Sequence, residues 1–483
     1  MKTGYKIISL LIVSFMFLTV FSGCKKKDET DENKPVKLTW YQWGNTPKDP
    51  KPVIEALNKK SAEDIGVTID FKFTGNGSDE ALKMTMATGE PFDIAYTCSW
   101  YANYAIAASS NQLYDITEKV KTVTPKLYSY IPQDVWHGSM VNGKIYAVPT
   151  YKDSAAAQYW CIDSSLDIPG LKDMLDKTTA KSSSVTPILK AIKDSGKMPS
   201  NASAPFMLTT SGMNGLATMF DMINRDIMIG VKLDDPSCKV KWGYEDPDFV
   251  DELKTLHEWF KAGYINKDAP QVESEYKYSP FFTAQGFPGS DEMWAIQRNH
   301  SVQMHKKTGP YYTTDSIQGS MNGIGKNSKN VDTALKYLEY INTNKDYRNM
   351  LAYGIKDQNY KITSEDTVER LNDGWMAETF AQASFFEMIP AAPAKSNQWD
   401  LVKKEMEKAE ASPLLGFSPD ISSVKNEVAS CIAIVKKYSA GLTTGAEDPV
   451  VKIPQMKKEL DSAGLSKIIE AFQTQVDSFL KQQ

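Results

Sequence analysis

Residues able to do chemistry are few in this chain, and their spacings complete no catalytic motif. His257-Glu258-Trp259-Phe260-Lys261 opens like the zinc-binding HExxH helix, but lysine stands where the second imidazole is needed. Gly323-Ile324-Gly325-Lys326-Asn327 has the glycines and lysine of a phosphate loop. It lacks the glycine five residues before Gly325 and has asparagine where a hydroxyl would hold magnesium. Ser422-Ser423-Val424-Lys425 matches SxxK, a pattern common by chance, and no serine lies within GxSxG. There are four histidines in all. Carboxylate pairs for glycoside hydrolysis stay open, because that pairing is spatial. The five cysteines include no CxxC pair, so neither zinc nor redox spacing occurs; Cys98, Cys161, Cys238 and Cys431 read as buried thiols, with one or two disulfides the alternative. No metal or cofactor is expected.

The aromatic residues are more informative. Ten tryptophans and 23 tyrosines occur, several beside glycine or polar residues outside any periodic stripe. Trp43 precedes Gly44, and Trp100 and Tyr101 close the segment Thr97-Cys98-Ser99. A tryptophan face stacks on the apolar face of a sugar ring, while neighbouring amides and carboxylates bond its hydroxyls. The competing reading is that these rings pack the rim of the core.

The elements that position them follow from periodicity. Leu38 to Tyr41 predicts a strand. Asp49-Pro50 predicts a helix start carrying Val53, Ile54 and Leu57. Val67 to Phe73 alternates apolar and polar as a strand does, Ser78 starts a helix with Leu82 and Met86, and Phe92 to Tyr96 predicts a third strand. Strand, helix, strand, helix, strand implies a parallel α/β sheet, in which Trp43 and Trp100 follow carboxyl ends of strands, where ligands bind. Further helices are predicted from Asp246-Pro247 to Gly263, around Val424–Val435, and from Ser466 to Leu480.

The 483 residues predict more than one globular unit. A 41% hydrophobic and 24% charged composition excludes disorder and a polytopic membrane protein. The net charge of -5 lacks the basic footprint of a nucleic-acid binder. Lys2 and Lys6 precede fifteen uncharged residues, Ile7 to Phe21, too short to span a bilayer but suited to a signal peptide. Phe21-Ser22-Gly23-Cys24 resembles the bacterial lipobox, in which the cysteine is acylated; Phe21 departs from the usual Leu, Val or Ile. An uncleaved anchor or an ordinary secretory signal is the alternative. Residues 1–23 are read as the signal peptide and 24–35 as a solvated tether. The mature chain then carries 53 minus 60, or -7.

Three further segments resemble one family. Gly143-Lys144-Ile145-Tyr146-Ala147-Val148-Pro149 is similar to the first interlobe crossover of family 1 extracellular solute-binding proteins of ABC importers. Glu90-Pro91-Phe92-Asp93-Ile94 and Trp259 to Ala269 match the same family. Ser412 to Phe417, Leu442-Thr443-Thr444-Gly445, Leu460 to Leu465, and Tyr353-Gly354-Ile355 with Tyr360 resemble its LipO-like lipoprotein subgroup. Phe380-Ala381-Gln382 departs from the subgroup's F-G-N.

The resemblance implies an α/β, two-lobed periplasmic-binding-protein-like type II fold with hinge crossovers and a helical C-terminal extension. Lobe I would comprise 36–149 and 319–362, and lobe II 150–318 and 363–483, with the second crossover near Ser316 to Gly323. The implied protein is not an enzyme. It is a monomer, lipid-anchored through Cys24 on the extracytoplasmic face of a bacterial membrane, that captures an oligosaccharide and delivers it to ABC permease subunits. A peptide or other polar cargo, or a secreted glycoside-active enzyme, are the alternatives. Carried over position by position, the ligand site comprises Gln42, Trp43, Ser99, Trp100, Tyr151, Lys152 and Asp153, with Ser211, Trp294 and Trp375 from the second lobe. Lys152 and Asp153 could instead pair with each other.

Overall fold

A computed structural model describes residues 34–75 and 80–482. The signal-peptide reading, nearly all of the tether including Cys24, and the helix start at Ser78 lie outside them. Val36–Gln42 pairs in parallel with Val67–Phe73 over seven residues, Val36 opposite Val67 and Gln42 opposite Phe73. Ile94–Thr97 adds a third parallel strand on the other side. Met321–Ile324 runs antiparallel between Ile94–Thr97 and Ala147–Pro149, completing a five-stranded sheet. The strand lies late in the sequence yet central in the sheet, so the chain leaves this layer and returns to it.

The helix Lys51–Ile65 begins one residue after Pro50, and Val53 and Leu57 face the sheet. Asp49 does not cap it; the Asp49 amide donates to the Gly374 carbonyl instead, at 2.9 Å. Trp40 is fully buried in this layer, its indole donating to Asn322 Oδ1 at 3.0 Å. Helices Val331–Thr343 and Lys345–Tyr353 complete the core through Leu335, Leu338, Ile341 and Leu351.

A second core surrounds a four-stranded sheet. Ala156–Asp163 lies between Phe281–Gly286 and Val302–Tyr312, antiparallel to both, and Glu410–Ala411 pairs in parallel with the end of Val302–Tyr312. The helix Pro247–Lys261 starts on Asp246, whose carboxylate accepts from the Asp248 and Phe249 amides, and buries Phe249, Leu253, Leu256 and Trp259. His257 is a packed residue, its Nδ1 2.8 Å from the Gly445 carbonyl. Helices Lys425–Thr443, Pro449–Ala463 and Leu465–Leu480 dock on the same core, the last through Leu465, Ile468, Phe472 and Val476. The four cysteines Cys98, Cys161, Cys238 and Cys431 are buried free thiols. No helix among the described residues is long and apolar enough to cross a membrane.

The chain passes between the two cores three times: after Pro149, between Tyr312 and Met321, and around Ser412. Two of these passages are tied together at Thr150 and Ser320, where the Thr150 amide donates to the Ser320 carbonyl at 3.0 Å. The third is tied in by the Ser412 amide, which donates to Tyr312 at 2.8 Å. Residues 363–411 differ from the expectation that the chain changes lobe at 363. Val368 packs with Ala352 and Tyr353, while Trp375, Ala383, Val402 and Met406 belong to the first core. Entry to the second core comes only at Glu410–Leu414. The passage is a two-residue strand, too short to leave a periodic signal.

Candidate functional site

Between the two sheets lies a cleft of about 950 Å³. From the first layer, Ser99, Trp100 and Phe380 line it. From the second come Gln158, the loop Ser211–Thr218, Asp221 and Arg225.

Trp100 follows the strand Ile94–Thr97 and is 55% exposed, an unusual exposure for so large an apolar ring. It is nonetheless fixed. Its indole donates to the Gly319 carbonyl at 3.0 Å, and the preceding Ser99 amide donates to Gln318 at 2.8 Å. Both acceptors belong to the second passage between the cores, so the ring is attached to the hinge itself. Trp43 meets Trp100 edge to face at 5.4 Å and 90°, and packs against Phe380 at 5.2 Å. Trp43 therefore backs the exposed ring rather than lining the cleft.

The segment carrying Phe380 is held by Arg348, which is fully buried. Its guanidinium donates to Ser384 O and Gln382 Oε1 at 2.8 Å each, Thr379 O at 3.0 Å and Ala383 O at 3.2 Å. Burial pushes its pKa down to about 10, so it stays charged at neutral pH. Gln382, the departure from the subgroup's pattern, points into this buried network and donates to Leu351 at 3.2 Å. Phe380 is the member of that tripeptide that reaches the cleft.

The structure distributes the remaining sequence candidates. Lys152 lines the cleft and pairs with Asp153 at 2.7 Å, both side chains under 20% exposed. Ser211 lines the cleft from the second core's side. Tyr151 sits at the first passage with its ring against Phe386 at 4.5 Å and Tyr130 at 5.7 Å, outside the cleft wall. Gln42 is fully buried beneath the strand end, its amide without a hydrogen-bond partner among the described residues. Trp294 is buried between Tyr159 and Phe282. Trp375 has no exposed surface and donates to Leu351. As placed, these last three offer no face to a ligand.

Two polar residues that carry no sequence signal lie in the cleft wall with a buried oxygen left unpaired. Asp221, in the strand Phe220–Asn224, is 4% exposed and its Oδ2 has no hydrogen-bond partner among the described residues. Gln158, in the central strand of the second sheet, leaves Oε1 similarly open. Gly215, at φ +71°, brings its loop so close to Gln158 that a Cβ would lie 2.7 Å from the amide. Burial pushes the Asp221 carboxyl up to about 6; the Ser412 hydroxyl and Arg225 oppose the rise, and Asp315 adds to it. Arg225 itself pairs with Asp315 at 2.5 Å, joining the second core to the short helix Thr314–Ile317 of the hinge.

A folded-state pKa above the unfolded 3.8 means that Asp221 favours the fold when protonated. Its contribution is full below about pH 4 and is lost as pH rises through about 6. Asp221→Asn is therefore expected to stabilise the unliganded protein at pH 7.5. It should also flatten the part of the pH–stability curve between pH 4 and 6 that this carboxyl supplies. Thermal melts of both forms across that range check this; an unchanged difference between them would show that the carboxyl is not burdened by burial.

Comparisons with known proteins agree with this architecture. A family model described as a domain of unknown function, DUF3502, matches residues 413–481. A Streptococcus pneumoniae protein named carbohydrate ABC transporter substrate-binding protein is 28% identical over 474 residues, covering 95% of this chain and 94% of that protein. The crystal structure of the N-glycan transport solute binding protein NgtS from Streptococcus pneumoniae superposes with a TM-score of 0.83 at 26% identity, covering 93% of this chain and 99% of that one. The same protein in complex with Man1GlcNAc and with Man5GlcNAc gives TM-scores of 0.76 and 0.73, again at 26% identity and 93% of this chain, with 100% and 99% of the other covered. In sequence over nearly its whole length, and in its two-lobed α/β type II architecture, the chain is a homologue of the substrate-binding proteins of ABC transporters.

Proposed function

We propose that this protein is the carbohydrate-binding component of an ABC importer, holding an oligosaccharide between its lobes and presenting it to a permease without chemical change. The observation that carries this reading is the composition of the cleft. An exposed but anchored tryptophan stands in the same cavity as a buried carboxylate with an open oxygen. A pyranose needs that combination, since its C–H face stacks and its hydroxyls donate. A two-lobed homologue that binds mannose–N-acetylglucosamine oligosaccharides makes this class of glycan the first to test.

Trp100, backed by Trp43, supplies the platform of the first lobe, and Ser99 lies beside it. Lys152 and Ser211 contribute polar contacts, and Asp221 and Gln158 accept hydroxyl protons from the second lobe's side. A ligand touching both lobes favours the closed form only through contacts that the open form lacks. The hydrogen bonds from Trp100 and Ser99 to Gly319 and Gln318 transmit the ligand's position to the hinge.

Calorimetric titration with mannose–N-acetylglucosamine oligosaccharides and a peptide panel tests the reading, followed by chromatography of the recovered glycan. Saturable binding of intact glycan is expected. Peptide binding alone would favour the polar-solute alternative, and released sugar would favour an enzyme.

Anchoring belongs to the same proposal. Gly23-Cys24 follows the apolar run that ends at Phe21, so the mature protein would be held on the outer face of the membrane by lipid on that cysteine. In cells fed a fatty-acid analogue, the wild type should take up label and Cys24→Ala should not; label on the variant would exclude this cysteine as the anchor.

A further inference from the structure

Arg298 lines the cleft and also a second cavity of about 400 Å³. Arg298 ends the helix Ser290–Arg298, and its guanidinium lies 3.8 Å over the Phe282 ring. Among the described residues it donates no hydrogen bond and has no carboxylate within ion-pair distance; the charge of Glu275 bears on it only through space, and that side chain is exposed. A half-buried cation stacked on an aromatic ring, with all its donors open, is left for a ligand to satisfy.

The lining of the side cavity has the same sign. Lys197 and Lys277 converge on it with Arg298. Lys277 is exposed and has no ion pair among the described residues, while Lys197 donates to the Asp167 carbonyl and lies 3.7 Å from the Asp167 carboxylate. The one carboxylate in the wall, Asp163, is already engaged. It accepts from the Ser165 amide at 2.8 Å and the Tyr278 hydroxyl at 2.6 Å, and His300 Nδ1 lies 3.4 Å from Oδ1. The acid is thus already engaged, and among the described residues Arg298 and Lys277 are left without a hydrogen-bond or ion-pair partner beside the cavity, with Lys197 held at its edge by Asp167.

We propose that this side cavity is a subsite for an acidic sugar unit, a uronic or similar carboxylated residue at one end of the bound glycan. The carboxylate would take paired hydrogen bonds from Arg298 and lie within the field of Lys197 and Lys277. The inference rests on the carbohydrate reading of the main cleft and adds to it a preference for a charged terminus.

The test uses the full mature protein and two probes: a mannose–N-acetylglucosamine oligosaccharide, and the same oligosaccharide carrying one terminal uronic acid. The acidic form is expected to bind about tenfold tighter at low ionic strength, as charge-assisted hydrogen bonds to a carboxylate would give, with the advantage shrinking in 0.5 M salt. The double variant Lys197→Gln/Lys277→Gln changes exposed positions only, so folding is not at stake. It should lose the part of the advantage that salt screens and keep the affinity for the neutral probe, since Arg298 remains. Equal binding of both probes by the wild type, or an advantage and a salt dependence that the double substitution leaves unchanged, overturns the subsite. If neither probe binds, the carbohydrate reading itself falls, and this inference with it.

Discussion

Replacing Trp100 by alanine is expected to weaken oligosaccharide binding by about 1–3 kcal/mol, roughly 5- to 150-fold in Kd, as truncation of an aromatic anchor does. The ring is 55% exposed in the unliganded protein, so little buried area is lost and the melting temperature should move by no more than a degree or two. Trp100→Phe should recover part of the affinity, because it keeps a stacking face but loses the hydrogen bond to Gly319. A large stability loss with unchanged affinity would make Trp100 part of the packed rim instead.

Arg348→Ala is expected to have the larger effect on the fold. The substitution orphans three buried carbonyls and the Gln382 amide oxygen at once, and leaves a cavity where a guanidinium stood. Losing a buried hydrogen-bond network of this size costs about 3–5 kcal/mol. Arg348→Lys keeps the charge but cannot reproduce a planar fork meeting four acceptors, so it should restore only part of that loss. The same network sets Phe380 against Trp43 and Trp100, so ligand affinity should fall in the surviving folded population. Denaturant unfolding measures the first effect and calorimetry the second; a stability loss under about 1 kcal/mol would mean that the segment is held by other contacts.

These two residues also show what the sequence could and could not disclose. Trp100 is legible because it follows a strand whose apolar run is clear, and ligands collect at strand carboxyl ends. Arg348 is not, because nothing in Lys345–Tyr353 distinguishes an arginine that faces solvent from one folded into the core. The same limit applies to the tryptophans. Trp100 and Trp375 both sit in polar, glycine-flanked or loop-like sequence, yet one is exposed in the cleft and the other has no exposed surface. Periodicity located the strands Val36–Gln42 and Val67–Phe73 and the helices Pro247–Lys261, Lys425–Thr443 and Leu465–Leu480, because their apolar stripes face large cores. It could not locate the passage at Glu410–Ala411, or Asp221, whose Oδ2 is left without a hydrogen-bond partner among the described residues. Lys152 and Asp153 form the ion pair that their adjacency allowed, with only Lys152 reaching the cleft wall.

In the proposed reading the carboxylates of the cleft have binding roles. Asp221 illustrates the cost of such a site. A carboxylate held open in a buried wall destabilises the empty protein at neutral pH and is relieved when a hydroxyl donates to it. Asp221→Asn should therefore trade affinity for stability.

Gripping of a glycan between two lobes is tested most directly by small-angle scattering of the mature protein, with and without a mannose–N-acetylglucosamine oligosaccharide at a concentration shown by calorimetry to saturate it. The radius of gyration should fall on binding, and the recovered oligosaccharide should be intact. An unchanged radius at saturation, or a cleaved oligosaccharide, would contradict capture by hinge closure.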